Sequence, residues 1–201
     1  MRDWWLRTLL VLQRPRPVFV ALRNDTRETA GEMSEPILLV TWLAGIASVL
    51  FAGGTMLDDS QGDGVDVAIQ AFIGGGVTAA VDYFVLGALL QLAVRLFGSQ
   101  GTYRRSRHVV AFASVPIALS LVLWPVKLSL YGLDWFRSGG SDTGSAGIAF
   151  DLLTYAFFAW AIVLLAIGVR SVHGWPWRRA LPATFVGLLL PAILTAFLVG
   201  R

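Results

Sequence analysis

VAIQAFIGGGVTAAVDYFVLGALLQLAVRLF, residues 67–97, runs for 31 residues with two charged side chains, Asp82 and Arg95. A helix crosses the ~30 Å hydrocarbon layer with roughly 20 mainly apolar residues. At ~1.5 Å per residue this stretch would reach ~46 Å, more than one perpendicular span requires. Apolar and polar residues do not alternate along it, so a strand of a membrane barrel is excluded. The triple glycine Gly74, Gly75 and Gly76 is expected to kink the helix or to end an outer half-helix. Gly75 with Ala79, and Gly76 with Ala80, form small-xxx-small pairs, which favour close packing inside one bundle over a homodimer face.

Four further segments have the same character: 36–57, 108–131, 147–170 and 180–200. The 201-residue chain is 56% hydrophobic and 14% charged, with a mean hydropathy of +0.67. Soluble domains carry about 25% charged residues. The expected fold class is therefore all-α, a polytopic membrane bundle of five transmembrane helices. Residues 1–35 form an interfacial N-terminal segment, and residues 36–201 form the transmembrane domain. Arg7 breaks the apolar run WWLRTLLVLQ, and RPRP follows it; a signal peptide is not expected.

Charge orients the bundle. Arg2, Arg7, Arg14, Arg16, Arg23 and Arg27 precede the first segment, while Asp58, Asp59, Asp63 and Asp66 follow it. Arg95, Arg104, Arg105 and Arg107 separate the second and third, and Arg170, Arg178 and Arg179 separate the fourth and fifth. With five spans, 13 of 16 basic residues share one side, as the positive-inside rule requires. The N-terminus is then cytoplasmic, the C-terminus outside, and the location a cell inner membrane crossed several times. Trp175 and Trp177 are expected as anchors at the inner interface and Trp135 at the outer one. Trp4, Trp5, Leu9 and Leu12 fall near one face of a short helix read as lying on the inner surface. Residues 138–147 read as a flexible outer loop. The basic inner face favours anionic lipids, and no basic stripe or stacking motif for nucleic acid is present.

The intramembrane charges are the candidate site. Lys127, the only lysine, lies nineteen residues past His108, or ~28 Å of helix. One reading has it snorkel to the outer boundary. The other pairs it with a carboxylate, Asp82 first and Asp151 as competitor, because a bare carboxylate in hydrocarbon costs at least ~2.5 kcal/mol. Such a cluster can lock helices together or line a polar path. Nothing resembles a catalytic set. There is no cysteine and no HExxH, GxSxG or phosphate loop, so neither enzyme chemistry nor a metal or cofactor is expected. His108 and His173 sit beside arginines and read as interface residues. Asn24–Thr26 matches a glycosylation pattern but is expected on the cytoplasmic side.

LFGSQGTYRRSRHVVAFASVPIALSL, residues 96–121, carries a Gly-rich turn (Gly98, Gly101), Tyr103 and Arg104. A span opening follows, with Ala111, Phe112, Ala113 and Pro116. This resembles the bacterial branch of the Yip family, membrane proteins named for interaction with Ypt/Rab GTPases. The resemblance implies five spans with a cytoplasmic N-terminus. It also implies a non-enzymatic protein that organises membrane partners or lipids; apart from the resemblance, a membrane-protein partner or a second copy of the chain is expected. The Rab partner is not carried over, because the region before the first span is only about 35 residues. A small channel or transporter using Asp82, Lys127 and Asp151 is the alternative.

Overall fold

The computed structural model describes residues 2–23, 34–58, 63–140 and 144–199. The Asn24–Thr26 pattern and the side chains of Trp4 and Trp5 lie outside the described residues. Among the described residues the chain is helical throughout, without a strand. Two short helices come first, α1 (Arg2–Gln13) and α2 (Pro15–Arg23). Five long ones follow: α3 (Ser34–Ala52), α4 (Gly64–Leu96), α5 (Tyr103–Phe136), α6 (Ser145–His173) and α7 (Trp177–Val199). Three of these, α4, α5 and α6, are long and apolar enough to cross a membrane, and α3 holds a shorter apolar stretch, Ile37–Ala52. The α7 helix begins with Arg178 and Arg179 and contains Pro182 and Pro191.

Short connections make successive long helices antiparallel, and this sorts the charge. One end of the bundle gathers Arg95, Arg104, Arg105, Arg107, Arg170, Arg178 and Arg179. The other gathers Asp58, Asp63, Asp66 and Asp134. Asp63 caps α4 by accepting from the Val65 amide, while Asp66 accepts from the Asp63 amide. This reciprocal pair satisfies donors that the first helical turn leaves open.

Along α4 as far as Gly87 the buried positions are Val67, Ala71, Gly75, Ala79, Tyr83 and Gly87, every fourth residue, and beyond it Leu90, Gln91, Ala93 and Val94 are buried. A four-residue step overshoots one 3.6-residue turn by about 40°, so the buried stripe rotates around the helix. The first half of α4 therefore packs on α3, and the second half on α5 and α7. The triple glycine does not end a half-helix: the α-helix is unbroken from Gly64 to Ala80. Gly75 serves packing there: a Cβ on it would stand 2.7 Å from the Ile46 amide nitrogen, and one on Gly45 would strike the Gly75 carbonyl. The irregularity comes later, where Val81–Leu86 widens into a π-helical turn.

The N-terminal segment belongs to the bundle. Val11, Val18, Phe19 and Leu22 are buried in the main core with Val109, Phe112, Leu164 and Val169. Phe19 seats against Gly168, where a Cβ would lie 3.0 Å from its ring. The core is thus continuous across residue 35.

Gly75→Leu is expected to force α3 and α4 apart and to cost at least ~1–3 kcal/mol, the range for overpacking. Gly76→Ala should be close to neutral, because its Cβ meets only the Trp42 indole nitrogen, at 3.6 Å. Thermal unfolding of both variants in detergent checks this.

Candidate functional site

At the aspartate end, Lys127 is 3% exposed. Its Nζ lies 3.4 Å from Asp151 Oδ1, 5.1 Å from the centre of the Trp124 ring, and over the ring of Trp135. Trp124 stands one turn before Lys127 on α5. Trp135 arrives by a reversal: the α-helical part of α5 ends at Gly132, whose φ of +62° suits a residue without a Cβ. The tight turn Gly132–Phe136 then folds back over the lysine. Phe136 stacks on Trp124 at 5.8 Å. The Leu57 amide donates to the Phe136 carbonyl at 2.9 Å. An ammonium against indole faces and a carboxylate replaces part of its hydration by electrostatic contact.

This arrangement corrects three expectations. Lys127 does not snorkel, because the aromatic fold-back closes over it. Trp135 is buried at 6% exposure rather than projecting as an interfacial anchor. Asp82, expected as the first partner of Lys127, is elsewhere. Measured from the helix ends, Lys127 is ~36 Å along α5 from Tyr103 and Asp82 only ~21 Å along α4 from Leu96. The helix starts at Tyr103, five residues before His108, which widens the separation in depth between the two and leaves Asp151 as the partner of Lys127. Asp82 opens instead into a cavity of about 410 Å³ between α3, α4, α5, α6 and α7. Its other polar lining is Ser48, Thr78 and Ser114. Among the described residues the Asp82 carboxyl has no hydrogen-bond or ion-pair partner. It sits at the start of the π-helical turn, a geometry frequent at functional sites.

The opposite end holds the glycine-rich turn. Gly98, with φ +80°, closes α4: its amide donates to the Arg95 carbonyl and the Ser99 amide to the Val94 carbonyl. This pair of bonds is a Schellman cap. Arg179 of α7 donates to the Phe97 carbonyl through Nε at 2.8 Å, and a Cβ on Gly98 would obstruct its guanidinium. Gln91, buried in α4, donates to the Gly101 carbonyl at 2.7 Å and accepts from the Ser106 hydroxyl at 2.6 Å. A Cβ on Gly101 would meet His173 Nε2 at 3.1 Å. The turn therefore joins the ends of α4, α5, α6 and α7. Tyr103 donates to the Phe84 carbonyl in the π-helical turn at 2.7 Å. Arg107 lies among the rings of Tyr83, Phe84 and Tyr103, at 5.0, 5.3 and 4.6 Å. Gly87 leaves room for its stem. Arg104 is half-exposed beside it, and Pro116 is buried where α5 restarts after Ser114.

The Yip1 domain family model matches residues 9–199. The chain belongs to the Yip1 domain family. No curated protein matches it, and no solved structure does. In this Yip1 domain, the motif residues Gly98, Gly101 and Tyr103 fasten four helices. Trp175 is half-buried between His173 at 4.6 Å and Arg179 at 4.3 Å. Trp177 is exposed, with Arg170 over its ring at 4.6 Å. Sequence reading missed Gln91, Arg107 and Arg179 as fastening residues. The clustering of Tyr83, Phe84 and Tyr103 around an arginine was the available signal for one of them.

Two outcomes follow for the aspartate end. Asp151→Asn takes the carboxylate from a buried ammonium and should destabilise the protein by about 1–3 kcal/mol. Lys127→Met leaves behind a carboxylate whose side chain is 40% exposed and should cost less; unfolding in detergent ranks the pair. Asp58 accepts from the Ser138 amide at 2.7 Å and from its hydroxyl. These bonds hold its carboxyl below the ordinary carboxylate value. The loop contact should therefore be complete above about pH 4 and be lost as pH falls through the lowered folded value. Hydrogen exchange at the Ser138 amide reports it, and Asp58→Asn should remove the pH dependence.

Proposed function

We propose that this Yip1-family protein is a five-span, non-enzymatic protein of a bacterial inner membrane that organises lipids or protein partners at its cytoplasmic face. The carrying observation is the separation of charge between the two ends of the bundle, which supports an inner arginine end and an outer aspartate end by the positive-inside rule. In that orientation the N-terminus is cytoplasmic and the C-terminus outside, with α3 and α7 completing the five spans. The α1 helix exposes Leu6, Leu9 and Leu10 while Val11 is buried, which supports a helix resting on the inner surface with Trp4 and Trp5. Anionic lipids are the favoured bilayer partners, and a membrane-protein partner or a second copy of the chain the favoured protein ones.

The Lys127–Asp151 pair acts as a lock between α5 and α6, sealed by Trp124 and Trp135. A transport reading draws on one observation, the Asp82 cavity at the π-helical turn. Its distance from the sealed lysine argues against a continuous charged path.

The chain has no cysteine, so single cysteines report topology directly. Gln100→Cys should be labelled only from the cytoplasmic side and Ser145→Cys only from outside. The reverse pattern overturns the orientation. Reconstituted protein should pass no ions or small solutes, and Asp82→Asn should change nothing. Flux lost in Asp82→Asn would replace this proposal with the transport reading.

A further inference from the structure

A cleft at the arginine end lies between α2 and the end of α6, with a volume of about 170 Å³. Its lining includes Arg16, Arg23, Arg170, Ser171, Gly174 and Trp175. The helical repeat explains two of the arginines. Val18, Phe19 and Leu22 face the core, so Arg16, Val20 and Arg23, at i, i+4 and i+7, share another face of α2. Arg23 lies across Gly174, within 3.1 Å of where a Cβ would be. Gly174 also has φ +64° and closes α6, with the Trp175 amide donating to the Arg170 carbonyl. Arg170 is held against the Trp177 ring. A guanidinium stacked on indole keeps its edge donors free for an acceptor.

Three positive groups from two elements thus converge on a small hollow. Among the described residues no carboxylate pairs with any of them. Holding like charges together is unfavourable unless an anion joins them. Guanidinium edges match the oxygens of a phosphate group in paired hydrogen bonds, and the Ser171 hydroxyl adds a donor. Position indicates the source of the phosphate. The 29 residues of α6 reach ~44 Å, past the hydrocarbon and into the headgroup layer, and Trp175 and Trp177 are residues of that layer.

We propose that this cleft is a binding site for the phosphate of an anionic lipid headgroup, recognised by Arg16, Arg23 and Arg170. The proposal rests on the membrane reading above and gives its lipid-organising role a defined site.

The test uses the full chain in bilayer nanodiscs and native mass spectrometry, with phosphatidylglycerol competing against phosphatidylcholine. Wild type should retain one phosphatidylglycerol preferentially. Arg16→Gln, Arg23→Gln and Arg170→Gln should each weaken retention about tenfold or more, as for hydrogen bonds to charged groups. Arg95→Gln, at the same end but outside the cleft, should lose no more than about fivefold, the effect of one diffuse surface charge. Equal losses in all four variants would overturn the site. Inorganic phosphate in millimolar excess should not displace the lipid; displacement would make the ligand a soluble phosphate and overturn the lipid assignment. Arg16 has an exposed side chain, so its variant should keep the wild-type unfolding temperature and remain informative if Arg170→Gln does not fold. Failure to enter the nanodisc would refute the membrane reading itself. Entry without lipid preference would refute only the site.

Discussion

Hydrocarbon offers no hydrogen bonds, so every backbone polar group at its depth must find a partner inside the protein. That constraint organises this bundle. Along the helices the backbone satisfies itself. The demand concentrates where helices stop, widen or carry charge. At the end of α4 it is met by the glycine cap and by Arg179 and Gln91. At the π-helical turn Tyr103 takes up a carbonyl. Lys127 meets it with a carboxylate and two indoles.

The residues without side chains matter for different reasons in different places. Gly45 and Gly75 let two backbones touch, Gly168 accepts a phenylalanine ring, and Gly87 makes way for an arginine stem. Gly98, Gly132 and Gly174 supply left-handed turns at three helix ends. A run such as Gly74–Gly76 looks like a weak point in isolation. In the bundle its middle member lies against Gly45 and Ile46 of α3, and the helix is unbroken there.

Much of the fold was legible from the pattern of apolar runs and arginines, because length and charge act locally along the chain. All five apolar segments are helical, and the charge alternation between loops becomes a separation between the two ends. The site was less legible. Asp82 is the first carboxylate expected to pair with Lys127, but α5 begins five residues before His108, which sets the lysine ~7 Å farther from the arginine end, and Asp151 pairs with it. Trp135 read as an anchor because aromatic residues near a loop usually are; the reversal at Gly132 sends it inward. The fastening role of Gln91 and the π-helical turn depends on contacts between residues distant in sequence, for which one sequence carries no periodic signal.

Phe19 and Gly168 are 149 positions apart, yet they form one of the close contacts of the core. Synthesis proceeds at about 5–20 residues per second, so α2 waits roughly ten to thirty seconds before α6 exists to receive it. During that interval Val18, Phe19 and Leu22 have only the earlier part of their core, Val109 and Phe112 of α5, to pack on. The contact between α2 and α6 is therefore a late one to form.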